Sequence, residues 1–233
     1  MFNNSKYGNL LTVILIVAII AIIGIVCIIG YRMYKAYYIE TGATQAATEF
    51  EENLNQENNN IDNNLDNNII QNGNVITNIE NIENTFNETN NSNSSTGKTT
   101  KYKGFTVVGT IQIPAINIKY PILEKNTKKS LETSVVLMYT ANGLNETGNS
   151  VIIGHNYRNG TMFSNVKKLE NGDIIYITDT LGRKVKYTIY SIYRTSGSDG
   201  KYITRNTQGK REISLSTCTD DSKARTIVLA KEN

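Results

Sequence analysis

From Leu10 to Gly30 the chain reads LLTVILIVAIIAIIGIVCIIG, 21 consecutive positions without a charge. At about 1.5 Å per residue, a helix of that length spans roughly 30 Å, the thickness of a bilayer hydrocarbon core. A cleavable leader has a shorter apolar stretch, about 7–15 residues, with a small-residue cleavage site close behind. Here the run is full length and leads into YRMYKAYY, whose aromatic and basic side chains suit a membrane interface. The expectation is a short tail (residues 1–9) and a retained single-pass helix (residues 10–30), with the lipid bilayer as partner. Charge counting does not orient it, because Lys6 precedes the run while Arg32 and Lys35 follow it.

Composition divides what remains. Residues 40–100 carry one Lys against ten Asp/Glu, a net −9, and are dominated by Asn, as in ENLNQENNNIDNNLDNN. Such a segment buries too little apolar area to offset its ordering entropy, so residues 31–100 are expected to form a disordered, acidic, Asn-rich linker. As a coil, its sixty or so residues would reach roughly 40 Å. A second arrangement stays open. Ile61, Leu65, Val75, Ile79, Ile82 and Phe86 fall on alternating three- and four-residue steps if Asn68 and Asn72 fill the gaps, the pattern of a weak amphipathic or coiled helix.

Residues 101–233 carry 20 Lys/Arg against 11 Asp/Glu, a net +9. That balance suits either an anionic surface or a merely solvated basic face. No basic-aromatic recognition motif accompanies it, so nucleic acid is not an expected partner. The length suits one domain with one modest core. TVVGTIQIPAINIKYPIL gives two alternating runs broken by Pro114 and closed at Pro121. SVIIGH, DIIYITD, KVKYTIYSIYRT, REISLSTC and ARTIVLAK are rich in β-branched and aromatic residues, with turn clusters between them. TMFSNVKKLE predicts a helix capped by Thr161 with Met162, Phe163, Val166 and Leu169 on one face, and a shorter helix is expected near Lys129–Ser134. The expected fold is mostly β: a closed or nearly closed barrel of seven to eight strands with one or two short helices.

The chain has two cysteines, Cys27 inside the apolar run and Cys218 near the C-terminus, and one histidine, His155. A disulfide between those cysteines is geometrically implausible. A zinc site needs more Cys and His ligands than this, and Glu146 with Asp199 makes too sparse a carboxylate set for calcium. No metal and no cofactor is expected.

In EISLSTC, alternation places Ile213 and Leu215 on one face and Ser214, Ser216 and Cys218 on the other. If the chain returns antiparallel through TDDSKA, Cys218 and Arg225 become cross-strand partners with Cβ atoms about 4.5–5.5 Å apart. A nearby cation favours a thiolate and stabilises the oxyanion that forms when sulfur attacks a carbonyl. His155 closes the apolar run SVIIG, at a strand end where side chains reach solvent. A Cys, a His and an anion-stabilising Arg are the minimum for acyl transfer through a thioester. Each residue also has an ordinary use: a small buried thiol, a hydrogen-bonded imidazole, a solvated edge charge.

LSTC followed by the Arg that opens RTIVLA, with IIGHN upstream, resembles the sortases, membrane-anchored cysteine transpeptidases of Gram-positive cell surfaces. The resemblance covers residues of about 104–231 and includes VGTIQIPAINIKYPIL and VIIGHNYRNGTMFSNVKKLENGDIIYI. GHNYRNGTMFSNVKKL and LSTCT are closest to class B, whose members favour Asn-Pro-type signals. The long insertion those enzymes carry before the cysteine strand is missing, since only SGSDGKYITRNTQGKR stands there.

The resemblance implies a sortase-type barrel over residues 101–233. Cys218 would attack a Thr–Gly or similar bond in the sorting signal of a secreted protein. His155 would serve as acid and then base, and Arg225 would hold the carbonyl oxygen. An amine of a peptidoglycan precursor or a pilin lysine would resolve the thioester. Ser216 and Thr217 are candidate substrate-binding positions, and the loop before EISLSTC is expected to border the groove. The resemblance also implies a cytoplasmic N-terminus and an external domain. Two other readings of the residues stay open: a cysteine hydrolase acting on cell-wall peptides, and a non-catalytic anchored binding module.

Overall fold

The computed structural model describes residues 4–71 and 100–232. Helix α1 runs unbroken from Asn4 to Gln71. It contains a stretch long and apolar enough to cross a membrane, and its isoleucines, leucines and valines from Leu10 to Ile29 stand exposed.

The helix does not stop at Gly30, which corrects the expected disordered linker over its first half. Both prolines of the chain lie in the C-terminal part, so no breaker interrupts RMYKAYYIETGATQAATEF, which is well supplied with Ala, Glu, Gln and Lys. Beyond the apolar run α1 acquires a packing face. Ala43, Ala47 and Phe50 are buried and Leu54 packs beside them, a 4-3-4 spacing that keeps one stripe against the barrel. Burying Phe50 contributes about 1.5–3 kcal/mol before ordering costs. Of the apolar ladder considered for the linker, Ile61 and Leu65 fall within α1, whereas Val75, Ile79, Ile82 and Phe86 lie outside the described residues.

After the two-residue β1 (Lys101–Tyr102), β2 (Phe105–Ile113) and β3 (Ile118–Leu123) are joined by a 3-10 turn at Pro114–Ile116. Pro121 lies within β3 instead of closing it. β4 (Val135–Thr140) pairs with β3 only at Ile122 and Leu123, so the proline sits before that ladder begins. Helix α2 (Lys128–Thr133) bears a capping box between Thr127 and Ser130. Then come β5 (Gly148–Ile153), β6 (Ile174–Asp179), β7 (Lys184–Ser196), β8 (Arg211–Cys218) and β9 (Ala224–Glu232).

The strand order is β1-β2-β3-β4-β5-β8-β9-β7-β6, and a further pairing of β6 with β2 closes β2–β9 into an eight-strand barrel. Gly109 sits at the closure, where a Cβ would lie 2.5 Å from the Thr178 carbonyl oxygen. The interior is filled by Ile111, Tyr120, Ile152, Ile177, Tyr187 and Leu215 among others.

α1 docks on β2 and β3, and in the closed ring β8 stands four strands from β2 in either direction. Helix and Cys218 strand therefore occupy opposite sides of the barrel. The dock has a polar centre. Glu51 accepts from Thr110 Oγ1 (2.6 Å) and Thr178 Oγ1 (3.2 Å) and pairs with Lys119 at 3.0 Å. Burial pushes the Glu51 carboxyl up, but the Thr110 hydroxyl and the Lys119 ammonium outweigh it and hold it below the ordinary range.

The helix expected over TMFSNVKKLE is cut to one 3-10 turn, Val166–Lys168. Met162 takes a left-handed backbone (φ 50°) and bridges to Asn156, which consumes the residues that would have started the helix. Its amide donates to Tyr120 Oη at 2.8 Å. The apolar residues still point inward: Met162, Phe163, Val166 and Leu169 are all buried.

Candidate active site

Cys218 ends β8 and Arg225 is the second residue of β9, and the two are direct partners in the antiparallel ladder. The turn between them is tied by Thr219, whose amide donates to the Ala224 carbonyl (2.9 Å) and whose carbonyl accepts from Ser222 (2.8 Å). Arg225 Nη1 reaches Cys218 Sγ at 3.7 Å. The expected thiol–guanidinium pair is thus formed by a local hairpin.

His155 arrives from the other side of β8. β5 and β8 run parallel in register from Gly148↔Arg211 to Ile153↔Ser216. Continuing that register by two residues brings His155 opposite Cys218. Histidine, cysteine and arginine then stand in one row across three neighbouring strand ends, each partly exposed. Gly154 makes the approach possible, because a Cβ there would meet the Phe163 ring at 2.8 Å and Val135 at 3.0 Å.

The His155 ring lies 4.9 Å from the Tyr157 ring, centroid to centroid. Burial lowers its pKa below the ordinary histidine value, and the nearby Glu132 carboxylate partly opposes this. Because this is the only histidine of the chain, its titration can be followed by NMR without ambiguity. The expected midpoint lies below about 6.5, and Glu132→Gln should lower it further. A midpoint unmoved or raised in that variant would exclude the assigned electrostatic contact.

Two cavities open on this row. One, of about 470 Å³, is lined by His155, Cys218, Arg225, Ser216, Met138 and the Gly197–Ile203 segment among others. The other, of about 490 Å³, is lined by Asn156, Lys167, Arg194, Thr217, Cys218 and Asp220 among others. Cys218 is the residue common to both linings. Ser216 faces the first cavity and is bonded by Tyr202 Oη at 3.3 Å. Thr217 borders the second, but its hydroxyl is spent on the Gly154 carbonyl at 2.8 Å, tying β8 to β5.

The segment before β8 does border the first cavity, and the side chains that hold it there were not foreseen. Asn149 Nδ2 donates to the carbonyls of Tyr202 (2.9 Å) and Ile203 (2.8 Å). Arg205 pairs with Glu212 and donates to Asn149 Oδ1 (3.1 Å). Both faces of β8 are consequently buried, Ser214 and Ser216 included. No local signal foretold it, since Asn149 sits in the polar opening of β5 and β8 alternates Ile213 and Leu215 with polar residues throughout. Glu146 and Asp199 are engaged by Arg183 and Thr195 respectively.

Comparison with known proteins accounts for this arrangement. Sortase A of Bacillus anthracis is 30% identical over 121 residues, which make up 50% of this chain and 56% of that protein, so the chain spans little more than half the length of that relative. The structure of a Clostridium perfringens Sortase D5 transpeptidase superposes with a TM-score of 0.52 at 32% identity, covering 64% of this chain and 94% of the other. Sortase C-1 from Actinomyces oris gives a TM-score of 0.51 at 25% identity, covering 55% and 72%. The sortase domain model matches residues 111–233, more than half of the sequence and the part holding His155, Ser216, Thr217, Cys218 and Arg225, and the chain belongs to the sortase family.

Proposed function

We propose that this protein is a cysteine transpeptidase that cleaves the sorting signal of secreted proteins and transfers the acyl part to an amine of a peptidoglycan precursor or a pilin. The observation that carries the reading is the row of His155, Cys218 and Arg225 on one cavity wall, with the guanidinium 3.7 Å from the sulfur. Cys218 passes its thiol proton to His155 as Sγ attacks the scissile carbonyl carbon, and Arg225 donates to the oxygen as it gains charge. As the tetrahedral intermediate collapses, the C–N bond breaks and His155 gives a proton to the leaving amine, which leaves a thioester. The incoming amine then attacks the thioester carbonyl, His155 takes its proton, and Cys218 departs as thiolate.

Two substrates need two approaches to one sulfur. The cavity with His155 and Arg225 suits the sorting signal, and the cavity shared only through Cys218 suits the acceptor. The apolar stretch of α1 supports a single-pass membrane anchor, and action on secreted proteins requires the barrel outside and the N-terminus on the cytoplasmic side.

Mass spectrometry of the full-length protein, incubated with a small library of sorting-signal peptides, tests the reading. The expected result is an acyl adduct on Cys218 that is lost as an amide when an amine is added. Release as free acid regardless of amine would make the protein a hydrolase. No adduct and no turnover with any peptide or amine would leave the transpeptidase reading without support.

A further inference from the structure

The backbone ladder between β5 and β8 ends before it reaches the site. Its last paired residues are Ile153 and Ser216, followed by one bond from the Gly154 amide to the Ser216 carbonyl at 3.3 Å. Beyond that, side chains take over. Thr217 Oγ1 donates to the Gly154 carbonyl, and Asn156 Nδ2 donates to the carbonyl of Cys218 itself at 3.0 Å. Asn156 directly follows His155, so this one bond joins the histidine's segment to the cysteine's own peptide group.

The rest of Asn156 is equally committed. Nδ2 also donates to Asp220 Oδ1 (2.9 Å), and Oδ1 accepts the Arg158 amide (3.1 Å). A flipped amide would set its oxygen against a carbonyl and a carboxylate, so the orientation follows from the network. Asp220 Oδ2 in turn accepts from Lys167 at 2.5 Å, and Arg158 Nη2 donates to Ser222 Oγ at 3.0 Å. The segment that follows His155 (residues 156–167) is thereby clasped to the turn that joins Cys218 to Arg225 (residues 219–223). Lys167 and Asn156 both bond to Asp220 and hold its carboxyl below the ordinary range.

We propose that Asn156 is a positioning residue for acyl transfer: it continues the β5–β8 register by side chain, and anchored by Asp220 it holds His155 opposite Cys218. The inference rests on the transpeptidase reading given above. Asn156 lines the cavity assigned to the acceptor and not the one assigned to the sorting signal, so with the acceptor amine saturating its loss falls on kcat and not on KM for the peptide. A displacement of the order of 1 Å in such a pair costs about 10²-fold in rate.

The test uses the full-length chain in detergent micelles. Wild type, Asn156→Ala, Asn156→Asp, Asp220→Ala and Asp220→Asn are compared for kcat and KM toward a sorting peptide, for unfolding midpoint, and for the NMR signal of His155. Asn156→Asp keeps the shape of the side chain and replaces the donor with a carboxylate that repels Asp220 and the Cys218 carbonyl, so the contact is broken without a truncation. Both Asn156 variants should lose on the order of 10²-fold in kcat with KM within about twofold, and should shift or broaden the His155 signal. Asp220→Asn keeps an oxygen for Asn156 and should stay within a few-fold of wild type, with Asp220→Ala in between. Unchanged kcat in the Asn156 variants, a loss that falls on KM, or equal losses in Asp220→Asn and Asn156→Asp would each overturn the proposal. Should wild type transfer nothing, the transpeptidase reading fails, and the His155 signal still decides whether Asn156 holds the site together.

Discussion

Cys218→Ala is expected to abolish peptide transfer, with a fall in kcat of at least about 10⁴-fold, the scale seen when the nucleophile of a covalent catalyst is removed. The fold should survive. Cys218 is partly exposed at the end of β8, and its sulfur makes one polar contact, the 3.7 Å approach of Arg225. Losing that atom outside the core costs less than about 1 kcal/mol. The unfolding midpoint of the variant should therefore match wild type while the acyl adduct disappears from the mass spectrum. Retained transfer would remove Cys218 as the nucleophile, whatever the fold.

The second large effect belongs to Arg225. Its ladder position across from Cys218 puts the guanidinium beside the sulfur, where the carbonyl oxygen of a bound acyl group must also lie. Arg225→Ala should lower kcat by about 10²–10³-fold, the usual cost of deleting an oxyanion donor. Arg225→Lys should recover little, because a lone ammonium lacks the planar fork that reaches sulfur and oxygen together. In the Cys218→Ala background, Arg225→Ala should cost nothing further, since groups that serve one intermediate do not add. Steady-state kinetics on the four proteins checks this, and full turnover in Arg225→Lys would rule out a two-pronged role.

How much of this could be read from the sequence depended on distance along the chain. Cys218 and Arg225 are seven residues apart, and strand alternation with one turn brought them together, as the hairpin shows. His155 is different. Its place opposite Cys218 comes from a parallel pairing between strands 63 residues apart, and periodicity names strands without naming neighbours.

Alternation also set the serines of β8 on the face opposite Ile213 and Leu215. The Tyr202–Arg205 segment, held by Asn149, covers that face, and no local pattern announces such a cover. For TMFSNVKKLE the burial of Met162, Phe163, Val166 and Leu169 was legible and the helix was not. One left-handed residue, stabilised by the distant Tyr120 hydroxyl, outweighed helical propensity. For the linker, the Asn-rich composition from residue 53 onward was extended over a stretch, 40–52, that has no Asn and has a face to bury, and α1 then carries on through the Asn-rich residues to Gln71 against their low propensity.

That stretch alters how an anchored enzyme would meet its substrates. Thirteen helical steps lead from Gly30 to Ala43, a rise of roughly 20 Å, and from there Phe50 and the Glu51–Lys119 pair seat the helix on the barrel. On a coil the active site would wander through a hemisphere above the membrane. On a helical post it is confined to a thin layer at one height, and lateral diffusion of the anchor carries it through that layer. Encounter with a membrane-bound substrate then becomes a two-dimensional search, in which the density of partners per unit area sets the rate more than their concentration in the surrounding fluid.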